Sequence, residues 1–576
     1  MTSRLAALLL VAAMPATAAT LPATETAGGL VVTAQHLASD VGARILRDGG
    51  NAVDAAIAVG YAEAVVNPCC GNLGGGGFMT IRMADGHAAV LDFRETAPAA
   101  AAETMFLGAD GKPVADASLF GAKAVGVPGT VAGLELARTS FGTLPRDALL
   151  APAIALARDG FVLGPADVDI LDARTTRFAA DPMMASIFLR PDRLPQRAGD
   201  RLVQTDLAAT LQHISDAGPD GFYAGPVAAA IEATGGPTRA DLAGYRAVTR
   251  APITCPWRDI TILAPPPPSS GGVTLCEIFG VLSGDDLAAL GWHGSAASHL
   301  MVEAERHAFL DRNTQLGDPA FVADRVGHLL SPEYERAVRS GIGPRAMASA
   351  ALRDTTPPHE KAETTAYVVM DAAGNAVSTT YTLNGPFGAM VMARGTGVLL
   401  NDEMDDFTVA PDTPNLFGLV QGRANRIAPG KRPLSSMTPI IGVRDGHAVL
   451  VAGSPGGSRI ITTVLETVLN LTVFGMTPSE AVAAPRLHQQ WLPDAVFMEP
   501  FALSPDTRAM LEAIGTHIVE QAPWGDVVLI AVGPDTAAAA KPSPGSDAAR
   551  SLGSMRPRLR YGASDPRRPA GSVAVQ

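Results

Sequence analysis

Glu363-Thr-Thr-Ala-Tyr-Val-Val-Met-Asp-Ala372 decides how the rest of the chain is read. It leaves a Pro- and charge-bearing segment and enters a run of β-branched and aromatic residues, so Thr364 stands at the opening of a strand. Two readings fit that position. The Thr pair can simply begin a strand, since β-branched side chains suit a pleated sheet. Alternatively, cutting the Glu363–Thr364 bond frees a Thr whose hydroxyl is a nucleophile and whose α-amino group, titrating near ~7.7–8.0, serves as its own base. Upstream, Ser340, Gly341, Gly343, Pro344, Pro357 and Pro358, with Glu360 and Lys361, make 338–362 an exposed, mobile segment of the kind that is cut.

Around this stretch lies a chain of 576 residues, 47% hydrophobic and 18% charged, which suits an ordinary globular core of roughly two to four domains. The net charge of −13, with no Lys/Arg-rich run, argues against a nucleic-acid partner. Residues Met1–Ala18 read as a secretory signal: Arg4 gives a positive start, Leu5–Met14 a short apolar core and Ala16-Thr17-Ala18 a small-residue cleavage site. That core falls short of the ~20 residues a membrane span requires, and no other segment is long and apolar enough. A periplasmic or secreted protein is expected. The cysteines are Cys69, Cys70, Cys255 and Cys276. Adjacent Cys69 and Cys70 are not expected to bond each other, for geometric reasons. Cys255 and Cys276 either pair across the loop Pro265–Pro268 or sit as two small core residues. No CxxC metal pattern occurs, and no cysteine is assigned a catalytic role.

Thr33–Val66 reads as a strand and then an Ala-rich helix, broken at Asn67-Pro68. Phe78–Met83 and Ala88–Phe93 form a hairpin around Asp85-Gly86. The middle is mostly helical, over Thr130–Thr139, Arg146–Asp159, Thr205–Asp216, Pro226–Thr234 and His299–Asp311. After Thr364 come strands Thr365–Met370, Ala376–Leu383, Thr438–Val443 and His447–Ala452. Helices follow at Ser458–Asn470, Thr477–Ala484 and Pro505–Ile514, with a closing strand at Val527–Val532. The Ala/Pro/Ser-rich stretch 535–559 is expected to be a disordered insertion.

Several motifs carry chemistry. Gly71-Asn-Leu-Gly-Gly-Gly-Gly-Phe78 lacks the Gly-Lys-Ser/Thr ending of a phosphate loop and the dinucleotide spacing, so close backbone packing accounts for it better. Asn401-Asp-Glu-Met-Asp-Asp-Phe407 concentrates carboxylates and, taken alone, fits a solvated acidic loop. Arg432-Pro-Leu-Ser-Ser-Met437 pairs two hydroxyls with a cation. Gly453-Ser-Pro-Gly-Gly-Ser-Arg459 joins a strand to a helix, and backbone N–H groups there suit an oxyanion hole. Ala452 occupies the first Gly position of a Gly-x-Ser-x-Gly elbow, so that loop is not a nucleophile elbow. His299, Glu303 and His307 share a helix, yet no His-Glu-x-x-His occurs.

Together with Asp92-Phe-Arg-Glu-Thr-Ala-Pro98, Ser269-Ser-Gly-Gly272, Thr380-Tyr-Thr-Leu-Asn384, Ala484-Pro-Arg486 and Tyr561-Gly-Ala-Ser-Asp-Pro-Arg567, these stretches resemble the γ-glutamyltranspeptidases, of the N-terminal-nucleophile hydrolase superfamily. The match runs in order from about Gly29 to Arg567. The resemblance implies an α+β, four-layer αββα sandwich whose precursor cuts itself before Thr364. A signal peptide (1–18), a large subunit (19–363) and a small catalytic subunit (364–576) would result, the two subunits staying together. It implies Thr364 as nucleophile, Thr382 steadying it, and Gly456 and Gly457 as the oxyanion pair. It places Arg94, Ser435 and Ser436 on the α-carboxylate of a γ-glutamyl donor, and Asn384, Glu403 and Asp406 around its α-amino group. The helix of His299 has no metal role in the family, and no cofactor or metal is implied. The expected activity is transfer of the γ-glutamyl group of glutathione-like donors to water, amino acids or dipeptides. The alternative is a glutaryl (cephalosporin) acylase of the same fold. A secreted binding protein that has lost catalysis is a third class, disfavoured by the intact Thr364, Thr382, Gly456 and Gly457. Two positions depart from the family pattern. Ala366 follows the Thr pair where relatives carry a polar residue. Phe417, in the lid-like loop Pro411–Lys431, keeps a wall but lacks the hydroxyl by which a Tyr ties the lid. The presence of that loop favours γ-glutamyl over glutaryl substrates.

Overall fold

The computed structural model describes residues 22–349, 364–534 and 555–576. The signal expected at Met1–Ala18, Glu363 and most of the expected insertion (535–554) lie outside the described residues.

The strand Thr365–Met370 is buried along its whole length, and its side chains alternate between two apolar environments. Ala366, Val368 and Met370 join Val32, Ile441, Val451, Val528 and Ile530 in a core between two sheets. Tyr367 and Val369 point the other way, into a core shared with the helices. Period-two alternation with both faces apolar is what a strand covered on both sides requires. It fixes a four-layer arrangement of helices, sheet, sheet and helices, the αββα sandwich expected.

In the first sheet Ser572–Val575 lies beside Leu30–Thr33, followed by Thr365–Met370, Ala376–Thr382, Gly76–Arg82, Ala88–Asp92 and Val248–Arg250. The second runs Thr24–Thr26, Arg560–Ser564, Val528–Val532, His447–Gly453, Ile440–Arg444, Ile260–Ala264 and Ile253–Trp257. The helix Ala52–Val66, buried at every residue, covers the first sheet. Gly271–Leu282 and Ile460–Thr472 cover the second.

Several expectations are corrected. The single helix expected through Val66 is two, His36–Arg47 and Ala52–Val66. Gly49, at φ +95°, ends the first, and Asn51 with Asp54 forms a capping box on the second. Val528–Val532 does not close the chain, because Arg560–Ser564 pairs with it and Ser572–Val575 completes the first sheet. Residues 555–559 are not loose: Met555 is buried, and Gly533 N donates to Leu559 O at 2.9 Å. The segment from Val338 begins anchored, since the helix Pro332–Gly341 runs into it, His299 Nε2 meets Gly343 O at 2.7 Å, and Ser349 N donates to Asp494 at 2.7 Å. Residues 350–362 lie outside the described residues. Among the described residues no helix is long and apolar enough to cross a membrane.

Cys69 and Cys70, not expected to pair, are bonded to each other with Cα atoms 3.8 Å apart. The turn after Ala52–Val66 explains it: Cys70 N and Gly71 N both donate to Asn67 O, which folds the two residues back on themselves in a fully buried site. Cys255, on the strand Ile253–Trp257, bonds Cys276 on the helix Gly271–Leu282, with Cα atoms 5.7 Å apart. This bond closes a loop 21 residues long in sequence separation, for which chain entropy gives a stabilisation of about 3 kcal/mol. The Cys255→Ala/Cys276→Ala double variant should therefore melt several degrees lower in a calorimetric scan, with no change in the site described next.

Candidate active site

Thr364 lies one residue before the strand Thr365–Met370, and its antiparallel neighbour Ala376–Thr382 ends at Thr382. The register pairs Thr365 with Tyr381, which brings the next two residues face to face at the sheet edge. Their hydroxyls meet, Thr364 Oγ1 to Thr382 Oγ1, at 3.3 Å. Both are buried. Thr382 Oγ1 also accepts from Asn384 N at 2.9 Å, and Asn384 sits in the left-handed region at φ +77°. A non-glycine residue held there by its surroundings is a frequent mark of a functional site. Its amide Nδ2 donates to Asp402 O at 3.1 Å.

These hydroxyls open onto a cleft of about 270 Å³ of empty space. Arg94, Glu403 and Asp406 form one wall, Ser435 and Ser436 another, and Asn384 lies beside Thr382. Gly457 and Phe417 also line the cleft, in contact with each other. Residues from well-separated parts of the sequence therefore converge on one small space. Gly456, named with Gly457 from the sequence, precedes it in the turn and is not among the lining residues. Gly457 has φ +56°, and a Cβ there would stand 2.2 Å from Phe417 Cδ1, so any side chain would collide with the ring.

The acidic loop is not solvated. Asp402, Glu403, Asp405 and Asp406 are all buried, the last three in a single 3-10 turn, Glu403–Asp406. Arg94, fully buried, donates from one terminal nitrogen to Glu403 Oε1 and from the other to Asp406 Oδ2. Its Nε donates to Pro433 O at 3.2 Å, and Glu95 Oε2 lies 3.6 Å away. Burial works against the Arg94 charge, but Glu403, Asp406 and Glu95 more than offset it and hold the guanidinium above its ordinary range. Three carboxyls crowd this guanidinium. Burial pushes the Glu95 carboxyl up to about 7, with Arg94 opposing, and holds Glu403 well above the usual carboxylate range. Glu403 Oε2 and both Glu95 oxygens are buried without a hydrogen-bond partner. Such orphaned acceptors are costly, and of these residues Glu403 lines the cleft, where a cationic donor would satisfy its Oε2. Burial also raises Asp405 to about 6, although it accepts from Ser118 Oγ at 2.6 Å and from Leu416 N at 2.7 Å.

Sequence reading missed the residues that hold this set in place. Arg312, fully buried on the helix Ser295–Gln315, donates to Ser436 Oγ at 2.8 Å and to Ser270 Oγ at 3.0 Å. Burial lowers its pKa to about 10. Ser270 N in turn donates to Ser435 O at 2.7 Å, so the Ser269-Ser270 pair braces Ser435-Ser436. Asn415 donates to Asp406 Oδ1 at 3.0 Å and ties the lid-like loop to the acidic turn. A buried Arg three residues before Gln315 has no local signal, because its partners are far away in sequence. Of the helix considered for metal binding, Glu303 faces Arg306 at 3.4 Å and His299 meets Gly343 O.

A family model described as gamma-glutamyltranspeptidase matches residues 38–571. The chain is 51% identical over 549 residues to a glutathione hydrolase proenzyme of Pseudomonas sp. (strain A14), covering 94% of this chain and 93% of that one. It is 45% identical over 514 residues to the glutathione hydrolase proenzyme of Escherichia coli (strain K12), covering 88% of each. The crystal structure of a cephalosporin acylase from Bacillus halodurans aligns over 99% of both chains with a TM-score of 0.82 at 25% identity.

The crowding of carboxylates around Arg94 has a measurable sign. Glu95 holds its proton more tightly folded, at about 7, than unfolded, at 4.5. The stability it contributes is therefore complete below pH 4.5 and lost as pH rises through about 7. Glu95→Gln, which cannot ionise, should flatten the fall in unfolding free energy between those limits, read from denaturant unfolding at each pH, by an amount on the order of 1–3 kcal/mol. Parallel curves for the two proteins would place that titration elsewhere.

Proposed function

The chain belongs to the γ-glutamyltranspeptidase family, and we propose that the cleft at Thr364 takes the γ-glutamyl group from glutathione-like donors by way of an acyl-Thr364 ester. The observation that carries this reading is the buried Arg94–Glu403–Asp406 cluster placed beside a nucleophile-ready hydroxyl pair. A γ-glutamyl donor is a zwitterion at its α-carbon. Its carboxylate finds Arg94, Ser435 and Ser436. Its ammonium finds Asn384, Asp406 and the unpartnered Glu403 Oε2. Charge-assisted bonds of this kind are roughly twice as strong as neutral ones.

In this reading the precursor is first cut between Glu363 and Thr364, which turns residues 19–363 and 364–576 into two subunits and frees the Thr364 amine. That amine takes the hydroxyl proton as Oγ1 attacks the donor's γ-carbonyl carbon. The oxyanion that forms is held by the N–H groups of Gly456 and Gly457, which precede the helix Ile460–Thr472. Collapse breaks the amide bond, and the leaving amine carries the proton away. Water, an amino acid or a dipeptide then attacks the ester by the reverse sequence. Thr382, 3.3 Å from Oγ1, orients the nucleophile. The two disulfides suit an oxidising compartment, which supports export to the periplasm or beyond. The glutaryl alternative is less well served, because a glutaryl group has no ammonium to place against Glu403 and Asp406.

Cleavage is read directly on a denaturing gel. The wild type should run as two bands and Thr364→Ala as one, and the smaller wild-type band should begin at Thr364 on N-terminal sequencing. A different first residue would sink the nucleophile assignment.

Asp406→Asn separates the ammonium role from the structural one, since it keeps an oxygen for Asn415 but loses the charge. Turnover of a γ-glutamyl anilide should fall at least about tenfold, because unpairing a buried charge costs on the order of 3–5 kcal/mol when the site is closed and less in an open cleft. Any slow action on the matching glutaryl anilide should be nearly unchanged. Equal losses on both would make Asp406 structural.

A further inference from the structure

Phe417 lines the cleft, and its ring lies against the bare Cα of Gly457. It carries no hydroxyl to fasten it, so the fastening must be through the main chain. Asn415 Oδ1 accepts from Phe417 N and Leu419 N, both at 3.0 Å, which curls the segment into a tight turn. The Phe417 carbonyl then accepts from Gln490 Nε2 at 3.1 Å.

Gln490 is buried and fully used. Its Nε2 also donates to Leu492 O at 3.1 Å. Its Oε1 accepts from Ser458 Oγ at 2.6 Å and from His488 Nε2 at 2.9 Å. Two carbonyl acceptors on one side fix which end of the amide is nitrogen. Burial, with Arg459 nearby, lowers the His488 pKa to about 3, so the ring is neutral. Its proton lies on Nε2, and Nδ1 accepts from Thr462 Oγ1 at 2.8 Å. The segment around Gln490 is itself pinned, by Leu487 N to Glu466 Oε1 at 3.0 Å and Gln489 N to Glu305 Oε2 at 2.9 Å. A rigid strap therefore presents one amide that touches both the loop over the cleft and the residue after Gly457.

We infer that Gln490 is a positioning residue that couples closure of the 411–431 loop over the cleft to the setting of the Gly456-Gly457 turn. This rests on the reading of the cleft given above. With Phe417 down, Nε2 is held, Oε1 holds Ser458, and the N–H groups just before Ser458 are fixed. With Phe417 lifted, the amide loses one anchor and the turn one constraint. Donor retention and oxyanion stabilisation then rise and fall together.

The test uses three variants, with kcat and KM on a γ-glutamyl anilide, hydrogen exchange over 411–422, and the melting temperature as a check on folding. Gln490→Glu keeps the acceptor for Ser458 but loses the donors to Phe417 O and Leu492 O. It should speed exchange in the loop, raise KM about fivefold and lower kcat about threefold with it, each the size expected for about one net hydrogen bond. Ser458→Ala should lower kcat about fivefold. Gln490→Met, similar in shape, should show both effects, and adding Ser458→Ala to it should cost nothing further, the signature of one residue acting through another. Additive losses, or kcat and KM of Gln490→Met within twofold of wild type, would overturn the coupling. If Gln490→Met melts too low to assay, Gln490→Glu decides alone: a raised KM and faster loop exchange with kcat unchanged would overturn the coupling. A wild type inert on the anilide would instead overturn the reading of the cleft.

Discussion

The antiparallel pairing of Thr365–Met370 with Ala376–Thr382 is the constraint on which the site depends. A slip of one residue would turn every side chain of either strand to the opposite face. Tyr367 would enter the narrow core between the sheets, and the Thr364 and Thr382 hydroxyls would part. That core is built of small and medium residues, Ala366, Val368 and Ala376 among them, and cannot take a Tyr ring. On the other face Tyr381 OH donates to Gly60 O at 2.9 Å, a further tie that only one register allows. Packing far from the cleft thus sets the geometry within it.

Electrostatics supplies the second level of order. The acidic turn Glu403–Asp406 would not stay buried without Arg94, and Arg94 would not stay buried without the turn. Burial of such a set contributes little net stability, because desolvation cancels most of the attraction. What it gives is direction. Glu403 Oε2 is left without a partner while Asp406 is held from behind by Asn415. The charge is therefore offered toward the cleft and the loop is tied to the same residues that meet the ligand.

Much of the fold was legible because both main signals are local. The strands Thr365–Met370 and His447–Gly453 and the helix Arg146–Asp159 carry their periodicity within their own residues. What the sequence hid is nonlocal. Ile253–Trp257 and Ile260–Ala264 are short, interrupted by Pro256, and become strands only by pairing with each other and with Ile440–Arg444. Ser572–Val575 is strand because Leu30–Thr33 lies beside it. The cleft residues were found through motifs, and Arg94, Thr364, Thr382, Asn384, Glu403, Asp406, Ser435, Ser436 and Gly457 do meet in one space. Of the groups behind them, Arg312 and Gln490 carry no motif because key partners lie far off in sequence, Ser436 at 124 residues for Arg312 and Phe417 at 73 for Gln490. The Cys69–Cys70 bond was misjudged for a related reason: the general rule for adjacent cysteines does not know of the turn at Asn67.

Both sheets interleave segments from either side of Thr364. Leu30–Thr33 is flanked by Ser572–Val575 and Thr365–Met370, and Ile260–Ala264 hydrogen-bonds to Ile440–Arg444. A chain severed before Thr364 would thus not become two bodies that dock. Each piece alone would be an incomplete sheet with raw edges exposed, the form most prone to stick to copies of itself. Assembly information would reside in the unbroken polypeptide and be spent once. After severance the protein would remember its fold only as long as it never lost it, and its durability would be a matter of rate and not of equilibrium.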